Sequence, residues 1–315
     1  MPHPIITVVG SFAVGMTIRT SQMPVFGETL FGNDFDMGPG GKGSNQAVGA
    51  AKLGARSFFA GIIGDDKLGE IALDLYRREG VDTTYLTITK DSPTGVGFII
   101  LNEAGQNGII LDMGANQRMD AAFVFRLEEQ IRASDIVMSV LEIPLEAAAQ
   151  AMQLGKKHGV RTILNPAPAQ KLPEHVLQHI DFLTPNETEL RILMGLEPDD
   201  STPTMDLAGA LKSKWSGTLI VTMGERGALI FDGAGLQHVP PVCVNVTDTT
   251  GAGDSFNAGL AVAIAEGKSM LDAAKFASCT GALACTKLGV VPALPTRSSA
   301  DNLYKLCYSN RGNGA

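Results

Sequence analysis

One stretch of the chain concentrates residues that could do chemistry: Asp248-Thr249-Thr250-Gly251-Ala252-Gly253-Asp254-Ser255-Phe256. Gly251, Ala252 and Gly253 open a predicted helix that runs on through Ala258, Leu260, Val262 and Ile264. Residues this small let successive backbone N–H groups point into one space, and the helix start adds partial positive charge. That combination suits a phosphoryl group in transit. Asp254 falls in the first turn, beside the hole. A carboxylate there can take the proton of an attacking hydroxyl while the N–H groups hold the phosphoryl oxygens, the division of labour that phosphoryl transfer requires. The plainer alternative is a helix-capping acid.

Four further segments carry polar groups at useful spacing. In Gly38-Pro39-Gly40-Gly41-Lys42-Gly43-Ser44-Asn45-Gln46 the glycines clear space above a helix start, Lys42 offers a charge, and Asn45 offers a donor and an acceptor. Such a surface suits a polyhydroxyl ligand, whose hydroxyls need partners; a Gly-rich turn with an exposed Lys is the alternative. Asn165-Pro166-Ala167-Pro168 is followed by Thr184-Pro185-Asn186-Glu187-Thr188-Glu189. Asn186 and Glu189 stand three apart at a helix start and share a face. An amide and a carboxylate so placed could hold water-bound Mg2+ near phosphates, or simply cap the helix. Thr222-Met223-Gly224-Glu225-Arg226-Gly227 reads as a strand end turning into a hairpin, either one wall of an adenine pocket or an ordinary turn.

Other patterns fail on inspection. Gly267-Lys268-Ser269 imitates the end of a P-loop, but the required glycine five residues earlier is Val262. Gly10 to Gly15 lacks the dinucleotide-binding spacing of glycines. His175 and His179 are four apart with no Glu after the first, and His3, His158 and His238 pair with nothing suggestive, so the histidines read as surface residues. Trp215, the single tryptophan, reads as packing.

The elements that must position these groups follow an alternating rhythm. Strands are predicted at 5–9, 57–63, 135–140, 161–164, 180–183, 218–222 and 228–232. Helices are predicted at 43–53, 67–79, 145–157 and 187–194, with a mostly helical stretch from Gly253. Such alternation implies a parallel sheet covered on both faces. Two extended segments, near 12–38 and 94–113, have no helices of their own and could pair into a small sheet beside the core, with Asn102-Glu103-Ala104-Gly105 as a turn.

A chain of 315 residues, 44% hydrophobic, can bury a substantial core. The formal charge of −8 argues against a nucleic-acid partner, though local amides and cations can still hold phosphate. Cys243, Cys279, Cys285 and Cys307 have no metal-ligand spacing and read as small buried hydrophobes in a reducing compartment. No signal-peptide pattern opens the chain, and no apolar run reaches the ~18 residues that span a bilayer. The expectation is a soluble, cytoplasmic protein with no membrane partner.

In their order, Gly27-Glu28-Thr29, Gly40 to Ala47, Gly64-Asp65-Asp66, Asn165 to Pro168, Thr184 to Glu189 and Asp248 to Phe256 resemble the ribokinase-like (PfkB) family of carbohydrate kinases, from about Ile6 to Pro295. The resemblance implies a three-layer α/β/α core with a mostly parallel sheet (1–11, 39–93 and 114–309), a small β-lid (12–38 and 94–113) and a disordered tail at 310–315. It implies ATP-dependent phosphorylation of a primary hydroxyl of a small sugar, with ribose the leading acceptor and deoxyribose, a ketohexose such as fructose, or a nucleoside behind it. A non-catalytic sugar- or nucleotide-binding module of the same fold is the alternative from another class.

By the same resemblance Asp254 is the base, and Gly251, Ala252 and Gly253 form the anion hole. Gly41, Lys42, Gly43, Ser44, Asn45 and Glu142 hold the sugar together with Asp254. Asn186, Thr222, Met223, Gly224, Glu225, Arg226, Gly227, Gly253, Asp254 and Ser278 line the nucleotide site. Glu189 serves Mg2+ through water, and Asp248, Thr250, Ala284, Lys287 and Gly289 match a monovalent-cation site, so K+ is an expected activator. A homodimer joined through the β-lid is also implied. Two departures stand out: Ala293, where the family often has Ser, and Ala13 with Gly15, where it usually has a sugar-binding Asn and Asp. A buried sugar hydroxyl left unpaired costs roughly 1–3 kcal/mol, so these two positions bear on the choice of acceptor.

Overall fold

A computed structural model describes residues 3–103 and 106–309. Its strands, in chain order, are β1 (Ile5–Val9), β2 (Ala13–Thr20), β3 (Asn33–Gly40), β4 (Arg56–Gly64), β5 (Asp82–Thr89), β6 (Gly95–Asn102), β7 (Asn107–Asp112), β8 (Ile136–Val140), β9 (Arg161–Asn165), β10 (Phe182–Leu183), β11 (Thr218–Thr222), β12 (Ala228–Asp232) and β13 (Gly235–Val239). Nine of them form one sheet in the order β13-β12-β11-β10-β9-β8-β1-β4-β5. From β11 to β5 every pairing is parallel; β12 and β13 close one edge antiparallel. Central strands such as β1 and β8 are almost wholly buried apolar runs, as a sheet covered on both faces requires.

Two hydrophobic clusters divide the core, one on each side of the sheet. Ile6 and Val8 pack with residues of the helices Lys42–Lys52, Lys67–Glu79, Ala252–Ala265 and Met270–Ala284. Val9, Val137, Leu164 and Leu219 pack with the helices Leu145–Lys157 and Thr204–Lys212. Trp215 lies in this second cluster, its indole N–H donating to the carbonyl of Ile180 at 3.1 Å.

The second sheet has the order β3-β2-β6-β7. Its two hairpins, β2–β3 and β6–β7, are antiparallel, and they join through a parallel pairing of β2 with β6. This sheet grows directly from the core. β2 begins four residues after β1 ends, and β3 ends at Gly40, two residues before the helix Lys42–Lys52. Of the expected turn at 102–105, Ala104 and Gly105 lie outside the described residues, as does the tail 310–315.

Some elements differ from the sequence reading. β5 and β13, the two edge strands of the large sheet, carry many polar side chains and lack the apolar run that marks the buried strands. The strand expected at 180–183 shrinks to Phe182–Leu183. The cysteines need correcting: Cys279 is buried, but Cys243 is exposed and Cys285 and Cys307 are half-buried. Cys243 sits in an irregular connection after β13, where no layer covers it. Among the described residues no helix is long and apolar enough to cross a membrane.

Candidate active site

The chemistry-bearing residues gather at the carboxyl ends of the parallel strands, where ligands bind in open α/β sheets. Ser11 follows β1, Glu142 follows β8, Asn165 ends β9, Thr184 follows β10 and Thr222 ends β11. The helix Ala252–Ala265 points its start at the same edge, with Gly251 as N-cap in the left-handed region, φ 80°. A cavity of about 190 Å3 opens there. Lys42, Asn165, Thr184, Asn186, Glu189, Thr222, Gly251, Gly253, Asp254 and Asn257 are among the residues that line it.

Asp254 is 5% exposed. Its Oδ2 accepts from Asn45 Nδ2 at 2.8 Å and its Oδ1 from Gln46 Nε2 at 3.2 Å. Burial pushes its carboxyl above the usual range; the Lys42 ammonium and the two amide donors oppose this without cancelling it. A carboxylate whose affinity for a proton has been raised in this way is suited to act as a base. Burial likewise raises Glu142 and Glu189. Lys42 faces all three acids; burial works against its charge, but Asp254, Glu142 and Glu189 outweigh it and hold the ammonium above its usual range.

The helix start at 41–46 is built by close backbone contact. Gly41 has φ 89°, and a Cβ on it would lie 2.7 Å from the backbone nitrogen of Ala13. A Cβ on Gly43 would lie 2.6 Å from the nitrogen of Ser11 and 2.7 Å from Gly10 Cα. Glu142 Oε2 accepts from the Ser11 hydroxyl at 2.6 Å and from the Lys42 N–H at 2.8 Å. Asn45 Oδ1 is buried with no hydrogen-bond partner. Ser44 stands apart from the cavity: its side chain is fully buried and neighbours the Tyr76 hydroxyl, whose ionisation burial suppresses.

Asn186 and Glu189 form a capping box, each side chain bonding the other's backbone N–H at 2.8 Å. Both nevertheless line the cavity, so capping and ligand contact are compatible here. Thr222 lines it too, while Met223–Gly227 form a tight turn beyond it, with Arg226 paired to Glu187. Ser278 is half-buried in the helix Met270–Ala284 and is not one of the lining residues. The segments 247–250 and 285–289 are stitched together: Cys285 O accepts from Thr247 N at 2.8 Å, and Asp248 Oδ2 accepts from Gly289 N at 3.2 Å. Burial would raise the Asp248 carboxyl, but bonds from Thr250 and Gly289 outweigh it and hold the group below its usual range. Ala284 and Ala293 are buried, and Lys287 is exposed.

Ser11, Thr249 and Asn257 were not read from the sequence as site residues. Asn257 carried a faint signal, three residues after Asp254 on the same helix face. Ser11 carried none, because only the parallel pairing of β1 with β8 brings it to Glu142.

A glycine-lined helix start bearing a buried carboxylate, at the carboxyl edge of a parallel sheet with a small second sheet attached, defines an enzyme that passes a phosphoryl group to a hydroxyl. The chain belongs to the pfkB family of carbohydrate kinases, whose pattern matches residues 5–297. It is 38% identical over 292 residues to the ribokinase of Haemophilus influenzae, covering 93% of this chain and 95% of that one. It is 39% identical over 252 residues to the deoxyribokinase of Salmonella typhimurium, covering 80% and 82%. The ribokinase of Arabidopsis thaliana, solved with ribose and ATP, superposes with a TM-score of 0.90 at 32% identity, covering 96% of this chain and 99% of that one.

Proposed function

We propose that this chain moves the γ-phosphoryl group of ATP to a primary hydroxyl of a small sugar, ribose first among the acceptors. The observation that carries this reading is Asp254, buried, oriented by Asn45 and Gln46, and set in the first turn of the glycine-started helix. In this reading Asp254 accepts the proton of the sugar hydroxyl, whose oxygen then bonds the γ-phosphorus as the bond to the departing ADP oxygen breaks. The N–H groups at 251–254 and the Lys42 ammonium hold the phosphoryl oxygens. Asn45 Oδ1, buried without a partner, needs a donor that a second sugar hydroxyl would supply. Nucleotide contacts fall to Asn186, Thr222 and the turn after it.

Mg2+ fits Glu189 through water. One carboxylate oxygen of Glu189 is left outside the capping box and is free to hold a water of the ion, with phosphates and water supplying most of the other ligands. The ion would neutralise charge on the phosphates. Asp248, held ionised between two loops, fits a monovalent cation with backbone carbonyls around it. A reducing cytoplasm, where ATP is plentiful, fits the four unpaired cysteines.

A second acceptor, a deoxypentose, is supported by the lid. Ala13, Gly15, Gly38, Gly40, Gly95 and Gly97 are cross-strand partners, so the root of the lid offers no side-chain acceptor. A screen of ribose, deoxyribose, fructose and nucleosides with ATP, Mg2+ and K+, read by product mass, tests both readings. No phosphorylated product from any of them would sink the kinase assignment. A Cβ on Gly15 would sit 3.8 Å from its nearest neighbours, so Gly15→Asp fits. It is expected to lower the KM for ribose about tenfold relative to deoxyribose. An unchanged ratio would remove the lid from acceptor choice.

The outer lid supports a homodimer. Phe26 and Phe31 are fully exposed, and Val25, Phe35 and Ile110 more than half exposed; a patch of this kind marks an interaction surface. Light scattering is expected to give twice the chain mass, and Phe26→Asp with Phe31→Asp to halve it. A wild type that stays monomeric at tens of micromolar contradicts the lid dimer.

A further inference from the structure

Asp254 does not stand alone with its two amide donors. Gln46 Nε2, which donates to Asp254, also donates to Asn165 Oδ1 at 3.1 Å. Asn165 Nδ2 donates to the Thr184 carbonyl at 3.3 Å. The Thr184 hydroxyl donates to Asn257 Oδ1 at 2.6 Å, and Asn257 Nδ2 donates to the Gly253 carbonyl at 2.8 Å. Gly253 is the residue before Asp254, so the bonds close into a ring. Its members come from the helix Lys42–Lys52, from β9, from the end of β10 and from the helix Ala252–Ala265. All four side chains are buried, Gln46 completely and Asn165 the least at 6% exposed.

The polarity of the ring is fixed by its two backbone carbonyls, which can only accept. The Thr184 carbonyl makes Asn165 present its NH2 there and hence its oxygen to Gln46. Gln46 must then present its NH2, whose second hydrogen is left for Asp254. The Gly253 carbonyl sets Asn257 in the same way, which commits the Thr184 hydroxyl as a donor. Turning the Gln46 amide over would face oxygen with oxygen on both sides. Its Oε1 is left buried without a partner, so the fold accepts an unsatisfied acceptor to keep the donor on Asp254. A network kept for packing alone has no reason to do so.

We propose that Gln46, Asn165, Thr184 and Asn257 are positioning residues: one arc of the ring holds the Asp254 carboxylate in a single orientation as a proton acceptor, and the other holds the Gly253 peptide in the anion hole. This rests on the phosphotransferase reading above. The two arcs have separable effects. The Gln46 bond favours the charged form of Asp254, so its loss favours the protonated form. The other charged groups facing Asp254 are Lys42, Glu142 and Glu189, and none of them changes in the variants below.

Gln46→Leu is expected to lower kcat roughly ten- to hundredfold, the loss of one hydrogen bond to a charged group. It should also move the acid limb of the kcat/KM profile to higher pH and leave the KM for ATP unchanged. Thr184→Val should lower kcat by roughly tenfold with no movement of that limb. Titration of the Asp254 carboxyl by 13C NMR, assigned with Asp254→Asn, should show the same upward displacement in Gln46→Leu without any turnover. If Leu at this position does not fold, Gln46→Met, unbranched and of matching length, carries the same test. A wild type with no turnover defeats the kinase reading, and the NMR titration still decides the ring. An active wild type beside a folded Gln46 variant with the same pH limb and the same carboxyl titration overturns the ring.

Discussion

Replacing Asp254 by Asn is expected to lower kcat about a thousandfold, within the usual range for removing a general base, while the fold at neutral pH becomes no less stable. The loss follows from chemistry: an amide cannot take the hydroxyl proton. The stability follows from linkage. Burial raises the Asp254 carboxyl above its value in the unfolded chain. A group raised in this way lets the native state bind more protons than the unfolded one between the two pKa values, so stability is full below the unfolded value and declines as pH rises through the folded one. Asn carries no charge to bury and escapes that decline. Its NH2 would face a donor, but Asn45 Oδ1 and Gln46 Oε1 are both unpartnered acceptors, and rotation of the Asn45 amide supplies an acceptor where one is needed. Steady-state kinetics and melting curves across pH check both halves. Near-normal kcat in the variant would show that another group accepts the proton.

Gly253→Val should cost kcat/KM about a hundredfold or more, comparable to losing an oxyanion-hole donor, with a melting temperature unchanged or slightly raised. Gly253 lines the cavity, and a Cβ built on it meets nothing within 4 Å. The added methyls therefore do not clash with the protein; they occupy space the phosphoryl group needs. Valine also suits a helix better than glycine does. Gly251, two residues earlier, makes a useful contrast. Its φ of 80° disfavours any side chain, and a Cβ there would lie 2.5 Å from Val290 Cγ1, so substitution at Gly251 should lower both activity and melting temperature. If Gly253→Val kept its activity, the phosphoryl group would have to sit elsewhere.

The parts of this molecule that could be read from the sequence are those fixed by local rules. The strand at 5–9 and the helix at 67–79 declare themselves by apolar periodicity and by Gly80, which closes the helix in the left-handed region. The pair Asp254 and Gly251–Gly253 is local as well, because a helix start and its first-turn acid are close in sequence. Edge strands β5 and β13 escaped because exposure removes the apolar signal. The contacts of the site escaped for a different reason. Ser11 meets Glu142 across 131 positions, and Gln46 meets Asp254 across 208. Nothing in either segment names its partner; only the strand order brings them together. Ser44 shows the converse limit: the five consecutive polar or small positions 41–45 suggested one binding surface, but a helix turns about 100° per residue, and Ser44 neighbours Tyr76 instead.

The backbone contacts of Gly10 with Gly43 and of Gly41 with Ala13 have a mechanical consequence. With no side chains between them, the end of β1, the root of the lid and the start of the helix bearing Asn45 cannot slide over one another, since interdigitated main chain has no soft layer to yield. The floor on which, in the proposed function, an acceptor would rest is therefore rigidly fastened to the sheet. Under the function proposed above, any hinge would lie farther out along the two hairpins, and motion of the small sheet would leave the distance from acceptor to base unchanged.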